Sequence, residues 1–263
     1  MWSDLERPPL RVQALRRALL APIGPYAALD VVATVPSTNT ALAAAAGAGA
    51  PDRTVLVAEH QSAGRGRAAR SWSAPPRSGL ALSVLLRPTE VPPDRWSWLP
   101  LLVGVALCRT VSTLGEIPAV LKWPNDLLLG ADQRKAAGIL AEVIPAGPAV
   151  VVGIGLNVST RGEELPGPPA TSLLLEHGVT DRVVLLPAIL RSLAGAYAGW
   201  RADPGALPAA YRSVSSTFGR TVRLSLPDGT AVEGVADDLD EDGRIVVNGT
   251  AYGAGDVVHL RSV

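Results

Sequence analysis

Three arginines and two glycines crowd into "GRGRAAR", residues 64–70, within the longer stretch "AEHQSAGRGRAARSW". Gly64 and Gly66 let backbone amides come close to an anion, and Arg65, Arg67 and Arg70 add paired, charge-assisted bonds to phosphate or carboxylate. A nucleic-acid contact and a solvated surface turn are the competing readings of such a run. A second cluster is "KWPND", residues 122–126. Asp126 at a strand end, with Asn125 and Lys122 beside it, suits Mg²⁺ bridging nucleotide phosphates; Asn-Asp after a proline is equally an ordinary turn. A third is Lys135 in "RKAAGILAE". A lysine in an apolar strand needs an anion, either a core partner or a ligand phosphate, and Gly138 leaves room for close approach. "GIGLN", 153–157, lacks the third glycine and the helix of a dinucleotide fingerprint. Its Gly155 and Asn157 read instead as the wall and polar end of a slender pocket. "STN", Ser37 to Asn39, offers a helix cap or a ligand contact.

The composition sharpens two of these. Among 24 basic residues only Lys122 and Lys135 are lysines. A compact ammonium on a flexible stem does not interchange with a planar guanidinium where one oxygen must be reached, so the pair marks residues 122–135. A formal net charge of zero speaks against nucleic-acid binding, which usually shows a basic excess. An apolar fraction of 48% with 18% charged residues describes a folded globular chain. The lone Cys108 lies in "LLVGVALCRTV", which predicts a buried, inert thiol and no internal disulfide. The start is charged and lacks the apolar core of a signal peptide, and no unbroken run of about 18 apolar residues predicts a membrane span. A cytoplasmic protein is expected.

The elements that must position these residues follow in order. Residues 10–20 predict an amphipathic helix, 29–35 a strand, and the Ala-rich segment after Ser37 a helix ended near Gly47 and Gly49. Strands are expected at 53–61 and 79–88, then a buried helix over 96–115. A strand over 119–129 is broken by Pro124, and 135–144 and 149–158 form a hairpin through 145–148. Helices are expected at 185–202 and 205–215. After residue 216 the texture alternates apolar and polar, with turn dipeptides Asp228-Gly229, Asp242-Gly243 and Asn248-Gly249, as in a small meandering barrel. The acidic run 237–242 reads as a solvated turn, with a calcium site as the alternative. Two domains result: 1–216, a mixed α/β sheet with helices, and 217–263, a small barrel.

Taken together and in this order, Ser37-Thr38-Asn39, "AEHQSAGRGR", "KWPND", "RKAAGILAE" and "GIGLN" resemble the bacterial biotin protein ligases over roughly residues 30–260. The resemblance implies a catalytic domain like that of class II aminoacyl-tRNA synthetases and lipoyl ligases, followed by an SH3-like barrel. It implies biotin, ATP and Mg²⁺, with biotinyl-adenylate formed first and biotin then passed to a lysine of a biotin carboxyl carrier domain of acetyl-CoA, acyl-CoA or pyruvate carboxylase. Ser37, Thr38, Asn39 and Gln61 would hold the biotin ring, with Gly64, Arg65, Gly66 and Arg67 closing over its carboxylate and the adenylate. Trp72 would stack by the adenine, with Arg70, Lys122, Asn125, Asp126 and Asn157 on the ATP side and Mg²⁺ at Asp126. Lys135 and Arg67 would be catalytic, and Gly138 and Gly155 would line the pocket. The family loop usually has Arg/His-Gly where Ala68-Ala69 stand, which restricts the backbone here. With nothing to neutralise three guanidiniums, the free loop is expected to be mobile. About thirty residues precede the first motif, too few for the DNA-binding domain of the repressor relatives, so no DNA binding and a monomer or weak homodimer are expected.

Overall fold

The computed structural model describes residues 6–145, 147–167 and 169–260. Seven strands make a mixed sheet: β1 (Ala28–Val32), β2 (Thr54–Ala58), β3 (Gly79–Leu86), β4 (Ala119–Lys122), β5 (Asp126–Leu129), β6 (Arg134–Ile144) and β7 (Ala149–Asn157). Their spatial order is β1-β2-β3-β7-β6-β5-β4, with β1 and β2 parallel and every other pair antiparallel. The expected strand over 119–129 is two strands turned back at Pro124, so that Lys122 pairs with Asp126. The β6–β7 turn includes residue 146, which lies outside the described residues.

The strand alternation decides which side carries the site. On β3, Leu80, Leu82, Val84 and Leu86 join the main core, with Val150, Val152 and Ile154 of β7. Helix α1 (Val12–Leu19), α3 (Leu99–Gly115) and α4 (Arg182–Ala202) contribute to that core. The opposite face receives α2 (Thr38–Gly47), whose Leu42 and Ala46 pack on Leu85 and Val151. Ser37 caps α2, its hydroxyl accepting from Thr40 N at 3.4 Å. Two helical stretches, Pro93–Gly115 and Arg182–Ala202, are long and apolar enough by length and composition to cross a membrane. Helix α3 lies within the core, with Leu99, Leu102, Val103 and Leu107 sealed from solvent, which accounts for its apolar composition without a bilayer. Cys108 is buried there, and burial pushes its thiol up to about 12.

Several boundaries differ from the sequence expectation. Helix α4 begins at Arg182, capped by the Asp181 side chain on Val183 N. The segment 205–215 divides into a 3-10 turn, Pro204–Ala206, and α5, Leu207–Arg212, because prolines at 204 and 208 fit only first turns.

A second, antiparallel sheet follows: β8 (Thr221–Ser225), β9 (Ala231–Leu239), β10 (Ile245–Val247), β11 (Thr250–Tyr252) and β12 (Asp256–His259), in the order β11-β10-β9-β8-β12. The three turn dipeptides connect β8–β9, β9–β10 and β10–β11 as their chemistry requires. The acidic run is a turn braced from within: Asp240 accepts from the Asp242 and Arg244 backbone amides. Trp98 and Trp123 fasten this sheet to the first, donating indole N–H bonds to the Glu241 and Gly243 carbonyls at 2.9 and 3.2 Å.

Candidate active site

Two rows of paired residues on the α2 face build the floor of a cavity of about 110 Å³. One row runs Asp126–Gly138–Gly155–Ala81, the other Leu140–Gly153–Ser83–Leu56. The glycines of "GIGLN" are explained by what rests on them. A Cβ at 153 would lie 2.2 Å from Asn39 Oδ1, and one at 155 would lie 2.4 Å from the Trp72 ring. Gly138 lies under the same ring, 3.3 Å from where its Cβ would be. Trp72 therefore lies across the paired glycines of β6 and β7.

The wall made by α2 is a closed hydrogen-bond network. Gln61 Oε1 accepts from the Thr38 amide at 2.7 Å and its hydroxyl at 2.9 Å. The buried Ser83 hydroxyl donates to Asn39 Oδ1 at 2.6 Å and lies 2.7 Å from Thr38 Oγ1. Asn39 Nδ2 spends both protons, on Glu142 Oε2 at 2.8 Å and the Leu140 carbonyl at 3.1 Å. Neither of those partners can donate, so the amide orientation is fixed: Asn39 presents its oxygen toward Gly153 and Ser83.

Lys135 reaches the same side through a bulge. Leu127 pairs with Ala137 but Leu128 pairs with Lys135, so Ala136 is the extra residue. Three residues before Gly138, Lys135 would face away in a regular strand; the bulge turns it to the side of Asp126 and Gly138. Its backbone is satisfied from outside the ladder, its amide donating to Pro169 O and its carbonyl accepting from Thr171 N, both at 2.8 Å. Lys135 Nζ lies 2.6 Å from Asp126 Oδ1, and Lys122 Nζ lies 3.1 Å from Asp126 Oδ2. The only two lysines of the chain thus share one carboxylate, leaving a surplus positive charge that attracts an anion. Asn125 is clamped to the floor, its Nδ2 donating to Ile139 O while its carbonyl accepts from Ile139 N.

The loop is folded into a hairpin, and the counter-charges absent from its own sequence are supplied by other elements. Arg65 bridges to Ser71, Gly66 N donates to Arg70 O at 2.7 Å, and Arg70 N donates to Arg67 O at 3.1 Å. Ala68 and Ala69, the tip, both have positive φ, 51° and 58°, which is the type I′ arrangement of a tight hairpin. Each guanidinium has found company: Arg65 with Glu142 at 2.9 Å, Arg70 with Asp256 at 2.8 Å, and Arg67 with the Gly255 carbonyl at 3.4 Å. Burial pushes the Arg67 guanidinium down against the pull of Asp256, and its Nε is buried with no partner among the described residues. Counter-charges from β6 and β12 were invisible in the run itself.

Ser37, Thr38, Asn39, Gln61, Arg65, Gly66, Arg67, Arg70, Trp72, Asn125, Lys135, Gly138 and Gly155 all line the cavity. Gly64 stands just behind it, where a Cβ would strike the Trp72 carbonyl at 2.3 Å. Lys122 and Asp126 line a neighbouring cleft of about 950 Å³ between the two sheets, joined to the cavity by Arg70 and Lys135. Arg220, just before β8, and His259 of β12 line that cleft too. Asn157 is a correction to the sequence reading. It is buried at the end of β7, donating to the Thr171 carbonyl at 3.0 Å, and does not line the cavity. A resident metal does not fit at Asp126: each of its oxygens carries an ammonium, and the described residues hold no group of three or more His, Cys, Asp or Glu placed for an ion. Sequence reasoning missed Ser83 and Glu142. Each is a lone polar residue in an apolar strand, which was the available signal.

Comparison with known proteins bears on this geometry. Residues 31–159 match the model of the "Biotin/lipoate A/B protein ligase family". The chain is 45% identical over 98% of both lengths to the biotin--[acetyl-CoA-carboxylase] ligase of Mycobacterium tuberculosis. It is 32% identical to the bifunctional ligase/repressor BirA of Escherichia coli, over 73% of this chain and 60% of that one. The biotin protein ligase of Aquifex aeolicus, solved with biotin and ATP, superposes with a TM-score of 0.75 at 27% identity, covering 90% of this chain and all of the other. With that identity along its whole length and a floor, wall and lysine pair built by the matched segments, the chain belongs to the biotin/lipoate A/B protein ligase family.

Proposed function

We propose that this protein is an ATP-dependent biotin protein ligase that charges a biotin carboxyl carrier domain. The observation that carries the reading is the polarity of the cavity. One wall is neutral and offers fixed hydrogen-bond groups, the oxygen of Asn39 and the amide nitrogen of Gln61; the other carries Arg65, Arg67, Arg70 and Lys135. Biotin has matching ends, a ureido group with N–H donors and a carbonyl, and a carboxylate. The dithiolane of lipoate has neither donor nor carbonyl, so the neutral wall would be left unpaired against it.

The carboxylate oxygen of biotin attacks the α-phosphorus of ATP and pyrophosphate leaves. Lys135, held by Asp126 beside the cavity, supplies a point charge where negative charge grows on the phosphoryl oxygens. Magnesium enters as part of the ATP substrate. A deprotonated lysine amine of the carrier then attacks the acyl carbon, and AMP leaves. Arg67 and its neighbours hold the mixed anhydride away from water until then, so the hairpin acts as a lid. Trp72 offers a flat face to adenine.

The same reading takes residues 1–216 as the catalytic domain and 217–263 as an SH3-like barrel. It places a monomer or weak homodimer in the cytoplasm, without DNA binding, serving acetyl-CoA, acyl-CoA or pyruvate carboxylase. The test incubates the protein with ATP, magnesium, an unmodified carrier domain and either biotin or lipoate. Mass spectrometry should find one biotinyl group on the carrier; a lipoyl adduct of equal yield would overturn the substrate.

A further inference from the structure

Glu142 joins the neutral wall to the arginine hairpin, beside a longer contact of 3.4 Å from Arg65 to the Thr40 hydroxyl of α2. Glu142 lies on β6 two residues beyond Leu140 and faces α2. One of its oxygens accepts from the Asn39 amide at 2.8 Å and the other meets Arg65 at 2.9 Å. It is about one-quarter exposed and is not among the residues that line the cavity. Its two bonds act in different ways. Toward Asn39, an acceptor-only carboxylate forbids the flipped amide, whose oxygen would face Glu142 and the Leu140 carbonyl. That leaves Asn39 Oδ1 as an acceptor at the cavity, where it can receive a ligand N–H. Toward Arg65, the same carboxylate anchors the stem of the hairpin to the sheet, while Arg70 and Asp256 anchor its far side to β12.

We infer that Glu142 is a positioning residue that fixes the recognition polarity of Asn39 for a ureido N–H and ties that recognition to closure of the arginine hairpin. The inference rests on the biotin ligase reading. It differs from the lid in assigning a coupling: biotin seated against Asn39 and the hairpin closed by Arg65 share one carboxylate, so each stabilises the other.

Glu142→Gln is the decisive variant because it keeps size and loses one acceptor. The glutamine oxygen can serve Asn39 or Arg65, and its amide then opposes the other. In biotin-dependent ATP–pyrophosphate exchange, the KM for biotin should rise about tenfold, the ratio that one hydrogen bond to a charged group carries. The KM for ATP should stay within about twofold, a split that general unfolding of the strand would not produce. Release of biotinyl-adenylate, followed by rapid dilution and filtration, should quicken in Glu142→Gln and in Arg65→Ala, and the double variant should be no faster than either alone. Glu142→Asp, too short to reach both partners, should lie between wild type and Glu142→Gln. Equal rises in both KM values, or an Arg65→Ala effect that adds in full to Glu142→Gln, would overturn the coupling. Absence of exchange in the wild-type protein would instead sink the ligase reading, and calorimetric binding of biotin to Glu142→Gln would then decide the role of Glu142 by itself.

Discussion

The two sides of the cavity are held by different physics. On the α2 side, Ser37, Thr38, Asn39 and Ser83 are buried, and Asn39 and Thr38 meet Ser83 and Gln61 at 2.6 to 2.9 Å. Nothing there can turn without orphaning a buried group, which costs about 1–3 kcal/mol. The arginine hairpin is half exposed, and each of its ion pairs is of the kind worth up to about 1 kcal/mol. Its tip holds two alanines in left-handed backbone. The first side is built to recognise, the second to open and close. A ligase that must bind biotin, retain an activated acyl group and still admit a carrier lysine needs both.

The largest effect should come from the lysine of the charged side. Lys135→Ala should reduce adenylate formation by about 10²–10³-fold, as for removal of a donor from a developing oxyanion. Lys135→Arg should rescue poorly, since a fork does not occupy the place of a point charge. Deleting Ala136 should do as much harm as Lys135→Ala, because removing the bulge turns Lys135 to the other face of β6. Pyrophosphate exchange reads all three. A deletion variant with wild-type exchange would show that the bulge does not aim the lysine.

Next comes the rigid wall. In Gly153→Ala the new methyl would lie 2.2 Å from Asn39 Oδ1, an overpacking of about 1–3 kcal/mol. Because Asn39 is pinned by three partners, the strain should appear as a rise in biotin KM of about tenfold with little change in the KM for ATP. An unchanged biotin KM would mean that the wall yields, and that the contrast between the two sides is overstated.

The hairpin should respond differently. Arg67→Gly should leave the first half-reaction nearly intact and release biotinyl-adenylate a few-fold faster, because Arg67 closes the lid. Incubation with ATP, biotin and albumin, blotted for biotin, should show bystander labelling above wild type. Formation of the adenylate without extra labelling would remove the lid.

The junction of the sheets adds a dependence on pH. Burial, with Arg220 and Lys122 nearby, lowers the His259 pKa from 6.5 to about 4. Between these values the unfolded chain binds a proton that the folded chain does not, so stability rises with pH there and falls as pH drops from 6.5 toward 4. The difference in melting temperature between wild type and His259→Asn should therefore narrow across that window on acidification. A constant difference from pH 7 to pH 4 would show that His259 titrates normally.

The wall and floor were largely legible in the sequence because they depend on local pattern. Gly155 and Gly138 announced close approach, and a lysine in an apolar strand announced an anion. Three things were not legible. The bulge at Ala136 depends on pairing with β5, which no window of β6 contains. Asn157 follows the pocket glycines in sequence, but it lies at the strand end, turned to the Thr171 carbonyl. The counter-charges of the hairpin come from Glu142 and Asp256, 77 and 186 residues from Arg65 and Arg70 respectively.

The smallest effect should be a gain. The hairpin tip needs positive φ at both central positions, and Ala68 and Ala69 hold 51° and 58°. Left-handed backbone costs about 1–2 kcal/mol for each residue with a Cβ. Glycine removes that cost but gives back about 0.5–1 kcal/mol as entropy of the open loop. Ala68→Asn with Ala69→Gly, the preferred pair for this turn, should therefore favour the closed hairpin by about 1 kcal/mol, a shift of about fivefold. If closure retains the adenylate, its release should slow by that ratio. Biotin KM should barely move, because Asn39 and Gln61 do not depend on the tip. Transfer to the carrier would fall only if opening limits turnover, which comparison of burst and steady-state biotinylation distinguishes. Faster release from the Asn-Gly variant would mean that the hairpin is not the retaining element, and that the two sides of the cavity do not divide recognition from retention.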